Sequence, residues 1–294
     1  METDQAVIAR LRGAGCVFAE EEAAILAETA GTPAELDAMV TRRAAGEPLE
    51  QVVGWAEFCG LRVFVDPGVF VPRRRSEFLV SVALGFARER QRGGRTDGAP
   101  VIVDLCCGTG ALGLAVAAGL AVELGGAAAR GPEEGLGLLP GVELYAADLD
   151  PAAVAGARRN VEPAGGHVYA GDLFAALPGS LRGRIGVLIC NAPYVPTAEI
   201  AFMPAEAREH EAPIALDGGT DGLAILRRVT ADAGPWLTPG GVLLVETSAR
   251  QAPAMAAAMT TGGLAARVHE DDDSGATVVT GVLAFDPPDG ANGR

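Results

Sequence analysis

The chain has no lysine: its 23 basic residues are all arginine. That absence goes with abundant Ala and Gly and marks genome composition, not mechanism. The basic residues are outnumbered by 38 acids, for a net charge of -15. Such a balance opposes binding to nucleic-acid phosphates, which usually calls for a basic face, and favours a protein or a small molecule as partner. The five cysteines (Cys16, Cys59, Cys106, Cys107 and Cys190) include no C-x-x-C pair, and His167, His210 and His269 are scattered without ligand spacing. A zinc site is therefore excluded, no metal is expected, and free thiols in a reducing compartment are. No apolar run reaches the roughly 18 residues of a spanning helix, and Met1-Glu2-Thr3-Asp4 carries acids where a leader would carry an apolar core. A soluble, cytoplasmic protein without membrane contact is expected.

What is present divides the 294 residues into three parts. Residues 1–50 read as short helices with apolar faces at Val7, Ile8 and Leu11, at Ile25 and Leu26, and at Leu36, Met39 and Val40. Thr32-Pro33-Ala34-Glu35 has the pattern of a helix start, with Thr32 as cap, Pro33 in the first turn and Glu35 bonding back. Residues 51–72 contain two β-prone runs, 52–58 and 61–65, split by Cys59-Gly60, and read as a linking hairpin. From 73 to 294 the pattern is an α/β domain. A helix over 77–90 and a loop from Gln91 to Pro100 lead into alternating strands and helices: Val101 to Asp104, a helix over 110–123, Val142 to Ala147, a helix from Pro151 to Asn160, His167 to Ala170, and Ile185 to Cys190. A helix near 220–236, a turn at Pro239-Gly240-Gly241, the strand Val242 to Thr247, a helix near 250–261 and a strand pair ending at Phe285 follow. Such alternation predicts a mostly parallel sheet covered on both faces. Residues 124–141 and 286–294, rich in Gly, Pro and Ala, read as a surface insertion and a frayed tail.

The loop after the first core strand, Asp104-Leu105-Cys106-Cys107-Gly108-Thr109-Gly110, opens a G-x-G-x-x-G run over Gly108 to Gly113. Alone this fits a dinucleotide site. Against that, Asp104 would repel a pyrophosphate, and the next strand-end acid, Asp148, is farther on than the spacing of about 20 usual for a dinucleotide site. S-adenosyl-L-methionine fits better: Gly108 and Gly110 leave backbone room, Asp148 can take ribose hydroxyls, and Asp172 can approach an adenine amino group. The plainer alternative makes the glycines a turn and Asp148 or Asp150 a helix cap. Asp150-Pro151 is read as such a cap, and Cys106 and Cys107 as small packing residues, since no histidine near them supports a nucleophile.

Asn191-Ala192-Pro193-Tyr194 ends the apolar run Ile185 to Cys190. An Asn side-chain oxygen and the following main-chain carbonyl can each accept an N–H of a planar NH2 group, while an aromatic ring covers its flat face. This is a seat for a neutral nitrogen, and it points to methyl transfer onto nitrogen. The acceptor can be an amide or, equally on these residues, an exocyclic amine of DNA or RNA; a cofactor-binding protein without catalysis is a further alternative.

These residues resemble the protein-(glutamine-N5) methyltransferase family, the HemK or PrmC family, which modifies peptide-chain release factors. The similarity covers nearly the whole chain: Gly46-Glu47-Pro48-Leu49, Phe70-Val71-Pro72-Arg73, Asp104 to Gly110, Ala147-Asp148, Gly171-Asp172-Leu173-Phe174, Asn191 to Tyr194, and Ala215 to Leu223. The resemblance implies a seven-stranded, Rossmann-like methyltransferase sheet joined by a hairpin to an N-terminal helical domain that docks a protein substrate with an exposed glutamine loop. It implies cofactor contacts at Cys106, Cys107, Gly108, Thr109, Gly110, Asp148, Leu149, Asp172, Leu173 and Asn191, with Asp104 beside them. The glutamine amide would lie against Asn191, Ala192, Pro193 and Tyr194, Asn191 and Tyr194 being the catalytic pair, with Phe70 and Pro72 closing the pocket. The chain departs from the family pattern in three places. Ala192 stands where Pro is normal, Arg74-Arg75-Ser76-Glu77 where Pro-Glu-Thr-Glu is usual, and Cys106-Cys107 where Gly and Thr or Ser are usual.

Overall fold

The computed structural model describes residues 2–92, 98–124, 139 and 141–285. Much of the Gln91–Pro100 loop, most of the 124–141 insertion and the 286–294 tail lie outside the described residues.

Four helices open the chain: α1 (Glu2–Gly13), α2 (Ala19–Thr29), α3 (Pro33–Ala44) and the single turn α4 (Leu49–Val53). Leu11, Ala19, Ala23, Leu26, Val40 and Val52 are buried together, with Val7, Ile8, Leu36 and Met39 packed against them. None of these helices is long enough to be stable alone, so the shared apolar centre is what holds them. The Thr32 start forms as the pattern predicts. Thr32 Oγ1 accepts from the Glu35 N–H at 3.2 Å, and Glu35 Oε2 accepts from the Gly31 N–H at 2.8 Å.

The hairpin consists of β1 (Trp55–Phe58) and β2 (Leu61–Phe64), paired antiparallel. Its first strand starts three residues later than its β-prone run, because Leu49–Val53 closes a helical turn that Gly54 ends with a φ of 81°. Only glycine takes that conformation at little cost.

The main domain runs through α5 (Glu77–Arg92), β3 (Val101–Leu105), α6 (Ala111–Glu123), β4 (Glu143–Asp148), α7 (Pro151–Val161), β5 (His167–Ala170), β6 (Ile185–Cys190), α8 (Ala205–His210), α9 (Ala224–Asp232), β7 (Leu237–Thr247), α10 (Ala252–Thr261), β8 (Leu264–Asp271) and β9 (Ala276–Leu283). The strands form one seven-stranded sheet in the order β5-β4-β3-β6-β7-β9-β8. Neighbours from β5 to β7 are parallel, and β9 runs antiparallel to both β7 and β8. This is the expected α/β sheet. Every residue of β3 and β6 is buried, as continuous apolar runs require when helices cover both faces. Helix α6 is apolar nearly all round and is sandwiched accordingly.

From β3 the chain steps outward to β4 and β5, then returns to build β6 and β7 on the other side. The order therefore reverses between β3 and β6, and the crevice beyond the carboxyl ends of those two strands is where such sheets take ligands. The glycine loop follows β3 and Asn191 follows β6.

Two boundaries differ from the sequence reading. The Pro239-Gly240-Gly241 turn lies inside β7, where the register against β6 shifts between Ile185 and Val187. A Cβ on Gly241 would stand 2.6 Å from the Ile185 carbonyl oxygen, so glycine allows the strand to bulge against its neighbour instead of turning. Helix α9 begins at Ala224 and not near 220, because Gly218 to Gly222 are folded onto the chain around Asn191.

Candidate active site

The wall of the crevice after β3 is made largely of backbone. Cys107 N–H donates to the Ala147 carbonyl at 3.1 Å and Gly110 N–H to the Cys107 carbonyl at 2.7 Å, which curls the loop back over the ends of β3 and β4. Asp148 then spans it: one carboxylate oxygen accepts from Gly108 N–H and the other from Asp150 N–H, both at 2.9 Å. Burial pushes the Asp148 carboxyl up, and the two N–H groups pull it partly back. The glycines divide the work. A Cβ on Gly108 would meet nothing and would project into open space, whereas one on Gly110 would lie 2.6 Å from Val161 Cγ2 and one on Gly113 2.8 Å from Asp104 Cβ. Gly108 leaves room for a ligand, and the other two allow the loop to pack on α7 and β3.

Cys106, Cys107, Gly108, Thr109, Asp148, Leu149, Asp172 and Leu173 line one continuous cavity together with Phe70, Pro72, Asn191, Ala192, Pro193 and Tyr194. Asp104 and Gly110 are expected contacts that do not line it. Asp104 is 0% exposed and stands behind the loop, where Oδ2 accepts from Gly113 N–H at 2.9 Å. Burial raises its pKa to about 8. It orients the loop from below and does not reach the cavity. Gly110 is turned towards α7. Asp172 lines the cavity already paired to Arg228, at 2.6 Å, and Arg228 lines it too. Cys106 and Leu173 both take the left-handed region, with φ of 54° and 50°. Non-glycine residues in that region carry strain, which the surrounding structure must impose.

Asp150 caps α7, with its carboxylate accepting from Ala152 N–H at 2.9 Å. The thiols behave as packing groups: a hydrogen bond with Cys190 and burial push Cys106 up, and burial pushes Cys107 up. Among the described residues no group of His, Cys, Asp and Glu could hold a metal ion, and no helix is long and apolar enough to cross a membrane.

The wall after β6 is built from side chains brought from far along the chain. Asn191 Nδ2 donates to Ser76 Oγ at 3.4 Å. Tyr194 Oη donates to Glu246 Oε1 at 2.8 Å and accepts from Arg75 Nη2 at 2.6 Å, while Arg75 Nε donates to the same Glu246 oxygen at 3.1 Å. Burial and the Glu246 charge push the Tyr194 phenol well above its ordinary range, so it stays protonated. Gln251 holds the backbone from behind: Nε2 donates to the carbonyls of Tyr194, at 2.9 Å, and Asp221, at 2.8 Å. Val195 N–H and carbonyl pair with the Leu216 carbonyl and Gly218 N–H. A Cβ on Gly222 would come within 2.2 Å of the Tyr194 carbonyl oxygen. The run Ala215 to Leu223 is thus a brace for the tetrapeptide.

At the mouth, Arg73 lies over the Phe70 ring at 4.8 Å and pairs with buried Glu211 at 2.6 Å. Arg73 and Arg75 have carboxylate partners, so the arginine run offers less free charge than its sequence suggests.

Sequence reasoning missed Ser76, Glu246, Gln251 and Asn160. The last donates to the Thr109 carbonyl at 2.9 Å and ties the glycine loop to Phe64 of β2. Glu246 carried a signal: it is a charge directly after Val242-Leu243-Leu244-Val245, a strand-end acid like Asp104 and Asp148.

The residues fit S-adenosyl-L-methionine. Gly108 leaves space where a side chain would intrude, and the Asp148 carboxylate suits a ribose diol.

No model of a described protein family matches the chain. Among curated proteins, a "Release factor glutamine methyltransferase" of Geobacter sulfurreducens is 33% identical over 254 residues, which is 85% of this chain and 78% of the relative. A "4-amino-L-phenylalanine/4-methylamino-L-phenylalanine methyltransferase" of Streptomyces pristinaespiralis is 34% identical over 212 residues, 72% of this chain and 65% of the relative. Among solved structures, the hMettl16 catalytic domain in complex with MAT2A 3'UTR hairpin 6 shares the fold, with a TM-score of 0.53 at 12% identity over 85% of this chain and 83% of that one. With the Geobacter sulfurreducens relative matched over more than three quarters of its length, this chain belongs to the release factor glutamine methyltransferase family.

Proposed function

We propose that the protein transfers a methyl group from S-adenosyl-L-methionine to the side-chain amide nitrogen of a glutamine in a peptide-chain release factor. One observation carries this reading: the glycine loop after β3 and the Asn191 tetrapeptide after β6 open on a single cavity at the reversal of the strand order.

When bound, S-adenosyl-L-methionine supplies an electrophilic methyl group. Gly108, Thr109, Asp148, Leu149 and Leu173 would hold it, with Asp172 and Arg228 at the adenine side. The task of the other residues follows from the acceptor. An amide nitrogen is a poor nucleophile, because its lone pair is delocalised into the carbonyl. The Asn191 side-chain oxygen and the Ala192 carbonyl each accept one N–H, which aims the lone pair and stabilises positive charge as it develops on nitrogen. Alanine at 192 keeps the carbonyl that this role needs, and the Gln251 and Gly222 contacts hold the backbone that a second proline would otherwise stiffen. The Tyr194 ring covers the acceptor's flat face, and its phenol remains neutral. Phe70 and Pro72 exclude water at the mouth. Residues 1–50 form the docking piece for the protein substrate, which presents an exposed glutamine loop in the cytoplasm; nucleic acid is not bound directly.

A second reading is methylation of a free aromatic amine. The Streptomyces pristinaespiralis relative, matched at comparable identity, supports it, and the same pair of oxygens would seat an NH2 group of that kind.

The test is incubation with labelled S-adenosyl-L-methionine and either release factors or 4-amino-L-phenylalanine. An extract of cells lacking the protein serves as the unbiased arm, with mass spectrometry of the labelled species. Label on a release-factor glutamine is expected; label on the free amino acid alone would replace the first reading by the second.

A further inference from the structure

Three buried carboxylate oxygens have no hydrogen-bond partner among the described residues: Asp104 Oδ1, Glu211 Oε2 and Glu246 Oε2. Of the three residues only Glu246 lines the cavity. It is 2% exposed and lies on the strand next to the acceptor seat: Cys190 of β6 pairs with Val245 of β7, so Asn191 and Glu246 are the following residues of neighbouring strands.

Glu246 has a visible structural duty, and one oxygen performs all of it. Oε1 accepts from both the Tyr194 hydroxyl and Arg75 Nε. A glutamine would offer that same oxygen without placing a charge in the interior. The charge and Oε2 are surplus to the clamp, and a buried acceptor left without a donor is costly. Arg75, about half exposed, offsets part of the charge but does not reach Oε2. A donor that enters the cavity would supply the missing partner. Resting on the reading of this site as a seat for a nitrogen acceptor, we propose that Glu246 Oε2 shares with the Asn191 oxygen, in a three-centre hydrogen bond, the N–H of the bound acceptor that points at Asn191, making Glu246 a substrate-binding residue beside Asn191.

The same placement explains why a carboxylate suits this position. Positive charge grows on the acceptor nitrogen as the methyl arrives, and a fixed negative group on the adjacent strand stabilises it without moving. The hydroxyl of Tyr194 and the guanidinium of Arg75 keep Oε1 occupied, which leaves Oε2 as the carboxylate oxygen still able to accept.

The test measures equilibrium binding of a fluorescently labelled release factor to the full-length protein in the presence of S-adenosyl-L-homocysteine. Wild type, Glu246→Gln, Tyr194→Phe and the double variant are compared. Glu246→Gln keeps an oxygen for the clamp and sets an NH2 group against the acceptor's N–H. Release-factor binding is expected to weaken roughly tenfold or more, as for loss of a hydrogen bond to a charged group, with S-adenosyl-L-homocysteine affinity unchanged. Tyr194→Phe, which leaves Oε2 in place, is expected to weaken binding less, and the double variant to show the product of the two effects. Unaltered binding in Glu246→Gln overturns the proposal. Equal losses in the two single variants with none further in the double also overturn it, since Glu246 would then act only through Tyr194. If Glu246→Gln does not melt cooperatively, Glu246→Asp replaces it, keeping the charge and withdrawing both oxygens by one methylene. Weakened binding is again expected, and wild-type binding overturns the proposal. A wild-type protein that neither binds nor methylates the release factor overturns the reading on which the inference rests, and the inference with it.

Discussion

The two walls of the cavity are made in opposite ways. The wall after β3 is largely backbone: Cys106 to Gly110 curl over two strand ends, and backbone N–H groups meet Asp148 and Asp104. The wall after β6 is long-range. Ser76 and Arg75 reach it from more than a hundred residues before, and Glu246 and Gln251 from more than fifty after. A cofactor common to many reactions can be held by backbone, which tolerates Cys106 and Cys107 in place of smaller or polar residues. On the proposed reading an acceptor must be chosen, and that choice rests on individual side chains.

Substitutions on either wall can break or sharpen that contrast. The largest effect is expected at Asn191. Asn191→Ala removes an oxygen that is used as charge develops, so turnover falls roughly 100-fold to 1000-fold while S-adenosyl-L-methionine affinity stays close to wild type. Steady-state rates beside calorimetric titration of the cofactor check this, and turnover near wild type would falsify the assignment of the acceptor seat. Next comes Gly222→Ala. Its φ of 79° and the approach of Tyr194 O to 2.2 Å from an added Cβ predict a loss of roughly 3 kcal/mol from strain and overpacking. Denaturant titration reads the loss, which should come with weaker acceptor binding and little change in cofactor binding. Gly110→Ala is the mirror experiment on the other wall. An added Cβ 2.6 Å from Val161 Cγ2, at a φ of 77°, predicts a loss of roughly 2 kcal/mol and weaker cofactor binding, with acceptor affinity preserved. If both glycine variants impair both ligands equally, the walls are not separable.

Asp104 bears on the pH dependence of stability and on neither ligand. Burial raises its pKa from 3.8 to about 8, so the folded state holds this proton more tightly than the unfolded chain does. The stability contributed by protonated Asp104 is complete below about pH 4 and is lost as pH rises through about 8. Asp104→Asn cannot titrate and is expected to flatten the fall in stability over that window. Denaturant midpoints measured from pH 4 to 9 check it, and parallel pH profiles for the two proteins would count against the buried carboxyl as the cause.

The same contrast governs what could be read in advance. The strand Ile185–Cys190 forms over the residues that its apolar run predicts, because a buried strand needs little beyond continuous apolar side chains. The Thr32 and Asp150 caps were legible because capping is a matter of neighbouring residues. Asp104 was legible as a strand-end acid but not as a buried one; that depends on α6 packing against it, which brings Gly113 N–H to its carboxylate. Gln251 reads as an ordinary polar residue near the start of a helix. Nothing local says that its amide will satisfy two carbonyls of distant loops. Glu246 was visible only as a charge closing an apolar strand, and its value comes from what stands on the neighbouring strand.

Gln51 of α4 joins three segments with one side chain. Its Nε2 donates to the carbonyls of Val69 and His210, and its Oε1 accepts from Gly68 N–H. Gly68 and Val69 line the cavity, whereas Val52, the next residue in α4, belongs to the core of the N-terminal helices. An amide that closes three bonds at such a junction makes the helices and the cavity's lip share one opening reaction. Their hydrogen-exchange rates will then rise and fall together, and a protein gripping the helices will slow exchange at the lip without touching it.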